Sequence, residues 1–121
     1  MDALTAQLAN PEPFKLQHRI IQQVVAQLQK DFDDIVIDVT LSGDESPYDQ
    51  LRREIRPVVD WLLEKRPERL FTLFYRIDIP EQRVKQLMAS SDEVDIVDEY
   101  TDLILDRELQ KVIIRNFYSG S

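Results

Sequence analysis

The sequence predicts an all-α fold, a single domain over residues 1–121, built as a bundle of about five helices with one short extended segment near residues 34–41. Three observations predict it. Only two glycines occur in 121 residues, too few for an architecture of many tight hairpins. Apolar residues recur at helical steps of three and four along most of the chain. One run alone, Ile35 to Leu41, alternates apolar and polar in the manner of a strand.

The elements follow in order. Leu4 and Leu8 suggest a short first helix over residues 2–9. Asn10-Pro11-Glu12-Pro13 ends it, because proline fixes φ and restrains the residue before it. Leu16, Ile20, Ile21, Val24, Val25 and Leu28 then make one apolar stripe, so a helix is expected from about Pro13 to Asp31. Ile35, Ile37, Val39 and Leu41 alternate with Val36, Asp38 and Thr40 and are rich in β-branched residues. Phe32, Ile35, Val36 and Val39 also fit a helical stripe. No second strand of similar quality exists to pair with this run. Three readings stay open: an extended segment lying on helices, one edge of a hairpin, or an edge that pairs between subunits. The first is favoured.

Ser42-Gly43-Asp44-Glu45 reads as a turn. Ser46-Pro47 reads as an N-cap followed by proline at the first helical position. The stripe from Leu51 to Leu63 carries that helix to about Lys65, and Pro57 should kink or divide it. Pro67 restarts the chain, and Leu70, Phe71, Phe74, Tyr75 and Ile77 form an aromatic-rich helix. Asp78 and Glu81 have the spacing of a capping box for the next, short helix. Ser90-Ser91-Asp92 interrupts it. The last helix runs from about residue 92 or 93 to Asn116. Its apolar set, from Val94 to Phe117, covers more than one narrow stripe, which suits a central helix or one that meets a second surface.

Composition narrows the function. The chain has no cysteine, which removes disulfides, thiolate metal sites and a cysteine nucleophile. The first residues carry an acid where a secretory signal would be basic, so a cytoplasmic protein is expected. No apolar run is long enough to span a membrane. The net charge of −8 disfavours nucleic acid and anionic lipid.

No phosphate loop, nucleophile elbow or HExxH motif is present. His18 is the only histidine and sits on a polar stretch, where a surface histidine is the better reading than a general base. The densest acidic group is Asp92, Glu93, Asp95, Asp98, Glu99 and Asp102. Asp95, Asp98, Glu99 and Asp102 are candidate divalent-cation ligands, although acids also gather at helix starts for the dipole's sake. Asp31, Asp33 and Asp34 lack the glycine and distal glutamate of a calcium loop. Arg52, Arg53, Arg56, Lys65, Arg66, Arg69, Arg83 and Lys85 are interleaved with acids, as on ordinary solvated faces. The aromatic residues read as core before they read as pocket. Trp61 and Tyr118 are the exposed anchors to test first, since such residues concentrate at interfaces.

Leu70 to Val84, LFTLFYRIDIPEQRV, and Leu105 to Tyr118, LDRELQKVIIRNFY, resemble a group of short uncharacterised bacterial helical proteins. The shared features are a YRIDI-E junction and an RE-QKV--R closing helix. The resemblance covers about half the chain. It implies a bacterial cytoplasmic protein and brings no activity. Arg76 and Asp78 would then lie at a helix corner, where they can pair or cap.

The functional expectation is a non-catalytic protein-interaction or regulatory module without a cofactor. Its partner is another protein or a second copy in a homodimer, with Ile35, Ile37, Val39, Trp61, Tyr118, Arg76 and Asp78 as candidate surface residues. The alternative is a ligand binder or enzyme that uses a divalent cation on the acidic cluster.

Overall fold

The computed structural model describes residues 2–90 and 92–120, leaving out the side chains of residues 93–95. The Ser91 position in the expected break, and the side chains of Val94 and Asp95, therefore lie outside the described residues. The fold is all-α. The helices are α1 (Ala3–Ala9), α2 (Glu12–Lys15), α3 (His18–Phe32), α4 (Pro47–Lys65), α5 (Pro67–Arg76), α6 (Glu81–Ser90) and α7 (Glu93–Ser119). That is seven among the described residues, where about five were expected. No strand forms among them, and none of these helices is long and apolar enough to cross a membrane.

The helix expected from Pro13 to Asp31 is split. α2 is a single turn, and Gln17 has extended backbone angles, φ −97° and ψ 114°. Its carbonyl accepts the Ile21 N–H at 3.0 Å to start α3. Leu16 has helical spacing to Ile20 yet is exposed, so the stripe read from sequence joined two helices. α4, by contrast, runs unbroken through Pro57. Pro57 is exposed, so the Arg53 carbonyl it deprives of a donor can turn to water instead. Arg66 precedes Pro67 and is kept out of helical geometry, at φ −143° and ψ 61°, which ends α4.

Asp78 does not cap α6. It has φ 64° and closes α5 instead. Its N–H donates to the Tyr75 carbonyl at 3.1 Å, and the Ile79 N–H donates to the Phe74 carbonyl at 2.9 Å. These are the two bonds of a Schellman motif, with Asp78 in the left-handed position usually held by glycine. Ile79 and Phe74 are both buried, which supplies the apolar contact that accompanies the motif.

Packing divides the chain into two compact units. The first holds residues 1–51 and 108–121. Its core is Ile20, Ile21, Val24, Leu28 and Phe32 of α3, with Ile37, Tyr48, Leu51, Leu109, Val112 and Ile113. The Lys15 ammonium lies over the Tyr48 ring, 4.4 Å from its centre. The second unit holds residues 52–107. Its core includes Ile55, Val59, Leu62, Leu70, Leu73, Phe74, Ile77, Tyr100, Ile104 and Leu105. Phe71, Phe74 and Tyr100 meet edge to face, with Phe74 and Tyr100 centroids 5.0 Å apart.

Burial along α7 follows two adjacent rows, Ile96-Tyr100-Ile104-Glu108-Val112-Asn116 and Val97-Thr101-Leu105-Leu109-Ile113. Each row steps by four residues, which overshoots a full turn by about 40°. The buried face therefore winds around the helix. A broad apolar girth in the sequence is the trace of that winding, with Leu103 and Ile114 half-buried beside it and Phe117 exposed.

Candidate functional site

The run from Ile35 to Leu41 has neither helix nor strand hydrogen bonding, yet its burial alternates as a strand's would. Ile37 is buried, Ile35, Val39 and Leu41 are half-buried, and Val36, Asp38 and Thr40 are exposed. Val36 keeps 83% of its surface in solvent. The extended reading describes this segment well.

Two glutamine side chains substitute for the missing neighbouring strand. Gln29 of α3 donates Nε2–H to the Ile35 carbonyl at 2.9 Å, and its Oε1 accepts the Ile37 N–H at 2.7 Å. Gln50 of α4 repeats the arrangement, with Nε2–H to the Thr40 carbonyl at 2.7 Å and Oε1 accepting the Ser42 N–H at 2.9 Å. A primary amide carries the donor and acceptor that a peptide group carries, so each clamps two backbone groups at once. Among the described residues, the backbones of Val36, Asp38 and Val39 make no hydrogen bond within the chain.

In the first unit a polar ladder joins α3 to the last part of α7. Asp31 Oδ2 accepts from Gln27 Nε2 at 3.0 Å and from Lys111 Nζ at 2.9 Å. Lys111 also reaches Glu108 Oε1 at 3.3 Å. Arg115 donates to Gln27 Oε1 at 3.0 Å, and Asn116 donates to Gln23 Oε1 at 2.7 Å. The Glu108 side chain is 0% exposed. Burial first, and then the hydrogen bond and charge of Asp31, push its pKa up to about 8, against the pull of Lys111. Burial also works to raise Asp31, but hydrogen bonds from Glu108, Gln27 and Lys111 outweigh it and hold that carboxyl below its ordinary range. The pair thus shares one proton near neutral pH. Such a pair suits general acid–base work only where a substrate can touch it, and Glu108 is fully enclosed.

In the second unit, Arg52 grips Asp102 through two bonds, 2.7 and 3.3 Å, and Arg56 Nε lies 2.5 Å from Asp98 Oδ1. Arg52 also approaches Asp98 at 3.7 Å. Guanidinium forks, not a metal ion, are what these two carboxylates face. Glu99 is half-buried and has interactions of its own. Among the described residues no group of three possible ligands is arranged to hold a metal. The dipole account of the acids covers only the start of α7, because Asp98 and Asp102 lie beyond its first turn. Nor do basic residues occupy its last turn: Lys111 and Arg115 serve Asp31 and Gln27 instead.

The second unit also has a cavity of about 310 Å³, lined by Phe71, Phe74, Tyr75, Ile79, Glu81, Val84, Lys85 and Met88. Tyr75 is 84% exposed on its rim, and Lys85 pairs with Glu81 at 3.2 Å. Its volume is at the small end for a ligand site.

His18 is exposed at the start of α3. Trp61 is half in solvent, and Tyr118 is exposed and stacked edge to face on Phe117 at 5.4 Å. Arg76 is exposed; Asp78 holds the corner through its backbone. Arg107 completes that corner by donating Nε–H to the Ile77 carbonyl at 2.9 Å. Comparisons with family models, curated proteins and solved structures find no match. The reading of function therefore rests on the residues themselves. In those terms, the YRIDI and RE-QKV--R patterns are joints: Arg107 on Ile77, Glu108 and Lys111 with Asp31, and Arg115 on Gln27.

Proposed function

We propose that this chain is a non-catalytic protein-interaction module that works from the cytoplasm and recognises its partner along residues 35–41. One observation carries the reading: an extended, β-branched segment is held at Ile35 and Ile37 by Gln29 and at Thr40 and Ser42 by Gln50, while backbone groups of Val36, Asp38 and Val39 stay without partners in the chain. Unpaired strand-like edges are templates for another chain. The exposed Val36 adds an apolar side chain beside that edge. The absence of cysteine suits a reducing compartment. A divalent-cation reading has less support, because Asp98 and Asp102 already face Arg52 and Arg56.

A photo-crosslinking residue placed at Val36, with a control at the exposed Gln86 of α6, tests the reading in the cell of origin. A discrete protein adduct from position 36, missing from position 86, is the expected result. No adduct at 36, or the same adducts from both positions, would overturn it.

A further inference from the structure

We infer that the open edge at Val36 and Asp38 accepts a positively charged, extended peptide segment as an added strand. This deepens the protein-interaction reading and rests on it.

The edge supplies the geometry. In an extended chain, alternate residues turn their N–H and C=O groups to opposite edges. The Ile35 carbonyl and the Ile37 N–H turn to Gln29. Val36 and Asp38 therefore present both of their backbone groups on the other edge, where nothing in the chain meets them. Those groups match the peptide groups of one incoming strand.

Charge selects the occupant. From residue 31 to residue 51 the chain has no lysine and no arginine, while it carries Asp31, Asp33, Asp34, Asp38, Asp44, Glu45 and Asp49. All of these except Asp31 are exposed. A cationic segment is drawn to such a surface and oriented by it. A second copy of the same run would set like charges against each other across the pair, which destabilises a ladder. The polyanionic backbone of nucleic acid meets the same repulsion. Asp38 also keeps wrong partners away, since a charged residue on an edge blocks indiscriminate pairing.

The test uses the full chain, labelled with nitrogen-15, and two blocked peptides. One alternates lysine and valine; its sister has glutamate for every lysine. The expected result is that the lysine peptide alone shifts and protects the amides of Val36 and Asp38, and that binding weakens with salt. Asp38→Lys together with Asp44→Lys, both at exposed sites, should weaken it by about tenfold or more, and Asp38→Asn by less. Equal binding of the glutamate peptide, or full affinity in the double variant, overturns the cationic occupant. No peptide binding at this edge overturns it too, while a crosslinked adduct at position 36 would still support the broader reading. Self-association that protects Val36 and Asp38 without peptide assigns the edge to a second copy and overturns the proposal.

Discussion

Replacing Glu108 with glutamine should flatten the dependence of stability on pH. The folded chain holds the Glu108 proton until about pH 8, whereas an exposed glutamate releases it near 4.5. Across that window the folded state binds more protons than the unfolded state, so stability falls as pH rises. Asp31 has the opposite sign. Its pKa is lowered from 3.8, so its contribution is already complete above that value and adds no slope in the window. One proton corresponds to about 1.4 kcal/mol per pH unit. Between pH 4.5 and 7 the Glu108 contribution therefore shrinks by about 3 kcal/mol. That is a large part of the ~5–15 kcal/mol that holds a typical domain. In Glu108→Gln the side-chain amide can still donate to Asp31 and does not titrate. Urea unfolding of both proteins from pH 4.5 to 9 measures the difference. The variant should gain on the wild type by about 3 kcal/mol up to pH 7 and then level off above about 8. A difference that stays constant from pH 5 to 8 would refute the shared proton and mean that Lys111 keeps Glu108 ionised throughout.

Three further outcomes are expected. Tyr100→Phe should stabilise the protein by about 1 kcal/mol in chemical denaturation, because the buried Tyr100 hydroxyl has no hydrogen-bond partner among the described residues; a loss of more than that would reveal a partner. Gln29→Ala should cost about 1–2 kcal/mol and speed amide exchange at Ile37, whereas Gln29→Glu should keep the bond to Ile37 and lose only the one to Ile35. Asp78→Gly should raise the melting temperature by relieving a left-handed residue, a gain of up to about 1 kcal/mol, since its ion pair with Arg107 is long, at 3.8 Å, and exposed; a fall would show that the carboxylate matters to the corner.

Most helices can be read from the chain because their stripes are local. The α3 stripe from Ile20 to Leu28 and the run of α7 need only side-chain spacing to be seen. Other features depend on partners distant in sequence. Leu16 keeps the α3 spacing and is nonetheless exposed. Asp78 and Glu81 spell a capping box, but the α5 carbonyls bind the Asp78 and Ile79 amides first. Glu108 lies among the charged residues of α7, between Arg107 and Lys111, and nothing local marks it as enclosed. Gln29 and Gln50 look like surface polar residues until the segment between their helices is in place. The alternation of Ile35 to Leu41 was legible; the source of its hydrogen bonds was not, because side chains rather than a second strand supply them.

The stretch without basic residues also governs how the native chain can be cut. A protease that cleaves after lysine or arginine has no target between Lys30 and Arg52. Lys30 and Arg52 both lie inside helices, where cleavage requires local unwinding. Tryptic nicking around this region would therefore report fraying of α3 or α4, while a protease that cuts after acidic residues would find its sites, at Asp33, Asp34, Asp38, Asp44 and Glu45, on the exposed connection itself.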